Sequence, residues 1–282
     1  MRLIETPCYN CNSTEFSDYD TENGYKLVKC KSCGLLLVNP RPAEEDISKA
    51  KLTGVHEGEK TIATTGRYMY RKVSRYKKVL KDFFPNDELK KKKIEWFDIG
   101  CGYGELIQTL IKISGGNVKV KGSELNEIKV KGAQARKLDV DFYDIDNMGQ
   151  QFDTVSLLNV WSHLPDPVKF LDNLKKLIKP GGELFLETGH TSHLIPEHQQ
   201  YPYYLPDHLS FANQEIVENV LRKIGFEIVE TRIYRSTIYP KWYNVREVVI
   251  EFAKIFLRKY GSIKNFFPKH PNRDMFVRAR LN

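Results

Sequence analysis

One stretch constrains the fold of this chain more than any other: "FDIGCGYGE", Phe97–Glu105. The short apolar run "IEWFDI" leads into glycines at alternate positions, Gly100, Gly102 and Gly104, and the helix-period segment "ELIQTLIKI" leaves them. A buried strand that turns through glycines into a helix opens a βαβ unit, because a parallel neighbour can be reached only by a crossover. The pattern then repeats. "VKVKGSE", "DVDFYDI", "FDTVSLLNV", "ELFLET", "FEIVETRI" and "MFVRARL" read as strands, with helical periodicity in "EIKVKGAQARKL", "VKFLDNLKKLI" and "NQEIVENVLRKIG". The expected class is α/β: a mostly parallel, seven-stranded sheet with helices on both faces. An amphipathic helix is expected earlier, over residues 66–84, from Tyr68, Tyr76, Val79, Leu80 and Phe83.

In such a sheet a ligand sits beyond the carboxyl ends of the strands, where the glycine loop lies. Glycine there lets the backbone turn tightly and approach the ligand closely. The spacing G-x-G-x-G is followed by Glu105, where the dinucleotide fingerprint would need another glycine. A glutamate at the helix start also repels phosphate. The loop therefore suits a cofactor with a positive centre and no phosphate. Asp98 ends the first strand beside the loop, and Glu124 ends the second, where a carboxylate can accept bonds from ribose hydroxyls.

A second pattern lies near the N-terminus. Cys8 and Cys11 form one C-x-x-C, Cys30 and Cys33 another, with 18 residues between. That is zinc-ribbon spacing: two thiolates three positions apart on a tight turn can share an ion, and two such knuckles complete a tetrahedron. With all positions filled by cysteine, the expected Zn2+ is structural. Gly34 suits the second knuckle's turn.

At 282 residues and 41% apolar, the chain can bury a sizeable core, yet no run reaches the roughly 20 apolar residues that a membrane helix needs. The start, "MRLIETPCYNC", has no apolar signal region, so the expected location is cytoplasmic, with no membrane insertion. The net charge of +8 gathers in "LKKKKIEW" and the C-terminal "FLRKYGSIKNFFPKHPNRD", which invites an anionic partner. The expected organisation is a zinc ribbon over 1–40, linker and helices over 41–92, a cofactor-binding core over 93–233, and an insertion with the last strand over 234–282.

"FDIGCGYGE", "GSELN", "FDTVSLLNVWSHLPDPVKFLDNLKKLIKPGGELFLET" and "YLPDHLSFANQEIVENVLRKIGFEIVE" together resemble a class I S-adenosylmethionine-dependent methyltransferase, with its Rossmann-like sheet. The ribbon followed by "LLLVNPRP" resembles a bacterial subgroup that often modifies sugars or other surface-polysaccharide building blocks. The resemblance implies that Gly100, Gly102 and Gly104 face the methionine part of S-adenosyl-L-methionine, with Glu124 at the ribose. It places Asp144 near the adenine and the backbone of Asn159 at the methionyl amino group. One departure stands out: Ser162 occupies the place of the glutamate that commonly precedes the histidine in this family.

Methyl transfer aligns a nucleophile in line with the methyl and often removes its proton, a task for a histidine near neutral pH. The candidates, in order, are His208, His163 and His190. The segment 189–211, rich in histidine, tyrosine and proline, is the expected substrate wall. The insertion, with Arg235, Lys241 and Arg246, is the expected lid. These features favour a small anionic acceptor, phosphorylated or a nucleotide sugar, as part of a surface or capsular polysaccharide precursor. A nucleic-acid methyltransferase is the main alternative, disfavoured because "NVWSH" stands where an "NPPY"-type motif would grip a target nitrogen. A non-catalytic binding module and a nicotinamide oxidoreductase fit the glycine loop less well. Oligomeric state stays open.

Overall fold

The computed structural model describes residues 2–235, 243–257 and 272–282. Besides several two-residue strands, its N-terminal elements in chain order are β1 (Phe16–Glu22), β2 (Tyr25–Cys30) and β3 (Leu36–Val38), followed by helices α1 (Glu44–Thr53) and α2 (Tyr70–Phe83). The alternating part runs β4 (Ile94–Ile99), α3 (Glu105–Ser114), β5 (Val118–Ser123), α4 (Glu127–Gln134), β6 (Val140–Asp141), β7 (Phe152–Leu158), α5 (Pro167–Leu174) and β8 (Ile178–Gly189). It closes with β9 (Ser210–Phe211), α6 (Gln214–Lys223), β10 (Phe226–Arg235), α7 (Tyr243–Phe256) and β11 (Asn272–Leu281).

Seven of these strands form one sheet in the order β6-β5-β4-β7-β8-β11-β10. Every neighbouring pair from β6 to β8 is parallel, and β11 runs antiparallel between β8 and β10. The mostly parallel, seven-stranded sheet expected from the alternation is therefore present. Side chains alternate across it. Phe97, Ile99, Val155, Leu157, Leu184 and Leu186 pack with Leu171, Leu174, Val217 and Leu221 of α5 and α6. Trp96, Phe185 and Phe276 pack on the other face with Leu80, Phe83, Leu106 and Leu110 of α2 and α3. Burial on both faces explains why "IEWFDI" reads as an unbroken apolar run. Helix starts follow the capping residues: Asn126, Asp166 and Asn213 each accept a backbone N–H from the residue three positions on.

Three local expectations shift. The third strand holds only Val140–Asp141, because it is the sheet edge and its remaining polar residues turn away. "KPGG" is not a simple turn but part of β8, where a register shift opposite Phe152 absorbs the extra residues. The helix expected from residue 66 begins at Tyr70, and Tyr68 lies in the extended stretch before it.

The N-terminal segment forms a second sheet, β9-β3-β2-β1, whose edge strand comes from far along the chain. Val38 donates to the Leu209 carbonyl at 2.9 Å, and Leu209 donates to that of Ser162 at 2.6 Å. Tyr9 stacks edge-on with Trp161 and accepts its indole N–H at 3.1 Å. Cys8, Cys30 and Leu35 belong to the same apolar cluster as β4 and β7. The cysteine segment is thus stitched to the loop that follows β7. Of the expected lid, residues 236–242, including Lys241, and 258–271 lie outside the described residues. Arg235 ends β10 and Arg246 falls within α7.

Candidate active site

At the carboxyl edge of β4, Gly100, Gly102 and Gly104 all take left-handed backbone, with φ of 67°, 57° and 82°. A Cβ on Gly100 would come within 2.5 Å of Val160, and one on Gly104 within 2.4 Å of Leu138. Glycine is therefore favoured by φ at all three positions and by space as well at Gly100 and Gly104, whereas a Cβ on Gly102 would meet only Glu105 Oε2, at 4.0 Å. The Gly102 amide donates to Glu124 Oε2 at 2.9 Å, and the Asn126 amide to Oε1 at 2.9 Å. A carboxylate has about four acceptor sites, so Glu124 holds the loop and keeps lone pairs for a ligand.

Carboxylates crowd this edge. Asp98, Glu105, Glu124 and Glu187 are all buried. Asp98 accepts from Ser156 Oγ at 2.6 Å, and burial, with the neighbouring carboxylates, pushes it up to about 7. Burial also raises Glu187, against the pull of Arg75, whose guanidinium lies 3.3 Å away. Glu187 accepts from Asn159 Nδ2 at 2.9 Å. The Cys101 thiol is pushed well up by burial and the nearby carboxylates, so it fills the loop as a neutral side chain. Such an environment repels phosphate and favours a cation. The residues fit S-adenosylmethionine, which carries a sulfonium and an ammonium.

A cavity of about 370 Å³ opens in front of the loop, lined by Gly100, Glu124, Asp144 and Asn159 and also by His163, Asp207, His56 and Lys51. Asp144 is exposed, its carboxylate tied to Asn147 at 2.6 Å, and Asn159 takes φ 59° at the end of β7. Asp98 is not among the residues lining the cavity; its bond to Ser156 ties β4 to β7 just before the loop.

The structure separates the three histidine candidates. His163 Nδ1 lies 2.8 Å from the Asp207 carbonyl and 3.1 Å from its carboxylate. Both partners accept, so in the neutral ring Nδ1 carries the proton and Nε2 the lone pair. Burial disfavours the charged ring, but Asp207 outweighs it and raises His163 above its ordinary range. Burial would likewise raise Asp207, yet His163 and His56 hold it far below the usual carboxylate range. His208 lies behind His163, rings 4.7 Å apart, and donates from Nδ1 to the Tyr203 carbonyl at 2.7 Å. Burial and the charge of His163 pull it down to about 4, which keeps it neutral. It does not line the cavity. His190 is elsewhere, accepting the Gln214 amide at 3.0 Å at the start of α6 beside a shallow groove. His163, Asp207 and His208 offer ligand atoms within 4.8 Å of one another, but both histidine Nδ1 atoms are engaged by carbonyls.

Residues 51–69 contribute what the sequence reading left out. His56, 4% exposed, places Nε2 at 3.1 Å from Asp207, so one carboxylate joins two rings. Tyr103 donates to the Gly66 carbonyl at 3.2 Å and the Met69 amide to Glu105 at 3.0 Å, strapping this segment over the glycine loop. Nothing in sequence pairs His56 with Asp207, 151 positions on.

The four N-terminal thiols converge as the spacing implies, all within 4.8 Å of one another. Cys8 and Cys33 lie 3.5 Å apart, as do Cys11 and Cys30, near the roughly 3.8 Å edge of a tetrahedral thiolate site with 2.3 Å bonds. Each knuckle closes on a left-handed residue: Asn12 donates to the Cys8 carbonyl and Gly34 to that of Cys30. The cluster fits a tetrahedral metal ion.

The chain resembles known proteins in the same region. A model of the methyltransferase domain matches residues 67–231, more than half of the chain. Over 109 residues it is 33% identical to the mitochondrial ubiquinone biosynthesis O-methyltransferase of Dictyostelium discoideum, covering 32% of this chain and 34% of that protein. Over 101 residues it is 35% identical to the ubiquinone biosynthesis O-methyltransferase of Pseudomonas aeruginosa, covering 32% of this chain and 42% of that protein. The match thus spans well under half the length of these relatives. Among solved structures, a putative sarcosine dimethylglycine methyltransferase from Galdieria sulphuraria aligns with a TM-score of 0.52 at 12% identity, over 77% of this chain and 90% of that one. The [4+2]-cyclase SpnF aligns at 0.51 and 15%, over 73% and 80%. Such distant likeness speaks for the fold alone. The family match, the glycine edge and the sheet order agree: this chain belongs to the methyltransferase-domain family and has the class I S-adenosylmethionine-dependent methyltransferase fold.

Proposed function

We propose that the protein methylates an oxygen of a small, anionic acceptor, with His163 as general base. The carrying observation is the His163–Asp207 pair, which lines the same cavity as the glycine loop. S-adenosylmethionine, when bound, supplies a methyl group on a sulfonium. The remainder falls to this chain's own residues. Gly100, Gly102 and Gly104 let the backbone approach the methionine part, and Glu124 accepts from the ribose. Asn159 and Asp144 flank the amino group and the adenine. His163 takes the acceptor's proton at Nε2, while Asp207 fixes the tautomer and stabilises the charged ring. Lys51 lines the same cavity and favours an anionic acceptor. A sugar or phosphorylated precursor of a surface polysaccharide, in the cytoplasm, is the acceptor class that the N-terminal cysteine segment and "LLLVNPRP" support. The names of the matched relatives agree with oxygen as the methylated atom.

Labelled methyl transfer from S-adenosylmethionine to a panel of nucleotide sugars and phosphorylated metabolites tests this reading. Transfer should appear on at least one, with a pH limb above the ordinary histidine value of about 6.5. Label appearing only on an RNA or protein control would overturn it. We further propose that Cys8, Cys11, Cys30 and Cys33 hold one structural zinc. Metal analysis should find about one equivalent, lost in the Cys8→Ser/Cys30→Ser variant; full retention would place the metal elsewhere.

A further inference from the structure

A second, larger cavity of about 820 Å³ lies where the cysteine segment meets the core, with Arg41, Lys169, Lys223, Tyr9, Ser210 and Leu164 among its lining residues. Arg41 ends the "NPR" stretch after β3 and is 7% exposed. A guanidinium has five N–H donors and is costly to bury unless they are paired. Here Nη1 donates to the Pro42 carbonyl at 3.0 Å, and Nη2 forms an ion pair with the Glu44 carboxylate at 3.7 Å, longer than a hydrogen bond. Nε is buried with no partner. The donor set is far from satisfied.

The surrounding charges decide what would satisfy it. Asp166 is committed to the α5 N-terminus, accepting the Lys169 amide at 3.0 Å. Asp172 is paired with Lys175 at 2.6 Å, and Lys175 also donates to the Ile224 carbonyl at 2.8 Å. Arg41, Lys169, Lys175 and Lys223 thus line the cavity with Glu44, Asp166 and Asp172, four cations to three carboxylates, and Glu44 is exposed. We infer that this cavity binds a phosphate-type anion, with Arg41 as its anchor. Arginine suits the task because its planar fork pairs two oxygens at once.

The cavity also adjoins the chemistry. Leu164, the residue after His163, lines both this cavity and the one at the glycine loop. A phosphorylated acceptor held at Arg41 would thus have its other end on the His163 side. This last step rests on the methyltransferase reading, whereas the anion site does not.

The test uses the full chain, with inorganic phosphate as probe and S-adenosylhomocysteine as control for the cofactor site. Calorimetry should show phosphate binding to the wild type, at least about tenfold weaker in Arg41→Gln and partly recovered in Arg41→Lys. S-adenosylhomocysteine affinity should be the same in all three. Phosphate binding that is absent from the wild type, or unchanged in Arg41→Gln, would overturn the site. If Arg41→Gln fails to fold, the surface variant Lys169→Ala/Lys223→Ala replaces it; unchanged phosphate affinity there overturns the proposal equally. A wild type that binds phosphate but not S-adenosylhomocysteine would sink the methyltransferase reading and leave the anion site standing.

Discussion

The two walls of the cavity at the glycine loop are built in opposite ways. One wall comes from the ends of adjacent strands β4, β5 and β7, with Gly100, Glu124 and Asn159 each one step beyond a strand. The other wall gathers Lys51 from α1, His56 from the segment after it, His163 from the turn after β7, and Asp207 from the stretch before β9. The first is local chemistry repeated along an alternating pattern. The second exists only once the N-terminal sheet has docked, through Val38, Leu209 and Ser162, onto the loop after β7. Residue spacing therefore speaks clearly of the cofactor and faintly of the acceptor.

The largest expected effect falls on the second wall. Replacing His163 with alanine should lower turnover by roughly 10²- to 10⁴-fold, the usual range for a general base, with S-adenosylhomocysteine affinity nearly unchanged. His208→Ala should cost less than about tenfold, because its ring stays neutral and its Nδ1 is given to the Tyr203 carbonyl. Equal and large losses in both variants would mean that the two rings act as one unit and that the ordering is wrong.

What was legible in the sequence follows the same division. The seven strands, the glycine loop and the four cysteines could be read because each announces itself within about ten residues by period or spacing. The histidines could not be ranked. His208 and His163 are 45 positions apart in sequence, and only the fold shows that one shields the other from the cavity. His56 went unnoticed because its single partner, Asp207, is distant and neither sits in a motif. The spacing of Tyr68 from Tyr76 predicts helix from residue 66, whereas residues 66–69 end the strap over the glycine loop and the Tyr68 hydroxyl reaches Gln108 of α3.

A smaller effect belongs to the first wall. Glu124→Ala removes an acceptor from the ribose position and also frees the Gly102 and Asn126 amides. S-adenosylhomocysteine should bind about 1.5–3 kcal/mol more weakly, as for hydrogen bonds to a charged group. Glu124→Gln should recover part of that loss, since its amide oxygen can still accept one of the two backbone bonds. Calorimetry that finds Glu124→Ala binding like the wild type would remove Glu124 from the cofactor wall and dissolve the contrast between the two sides.

The smallest effect is a pH dependence, and it probes why this edge takes a cation. Asp98 sits at about 7, raised from 3.8 chiefly by burial and then by Glu105, Glu124 and Glu187. The sign follows from the raised value. Between about pH 4 and 7 the folded protein keeps a proton that the unfolded chain has released, so this group's contribution to stability falls as pH rises through that window. Ligand binding moves the other way. As pH climbs from 6 to 8, Asp98 ionises just before the loop, and a nearby positive charge becomes more welcome. S-adenosylmethionine and S-adenosylhomocysteine share their amino, carboxylate and adenosine groups and differ in the sulfonium, so the ratio of their affinities isolates that charge. The ratio should shift toward S-adenosylmethionine with rising pH, by at most about tenfold, one pKa unit's worth of differential interaction. In Asp98→Asn the dependence should flatten, because a neutral amide in the same place has no charge to gain. A ratio that stays level in the wild type from pH 6 to 8 would show that the carboxylates at the loop brace its backbone and do not select the cofactor by charge.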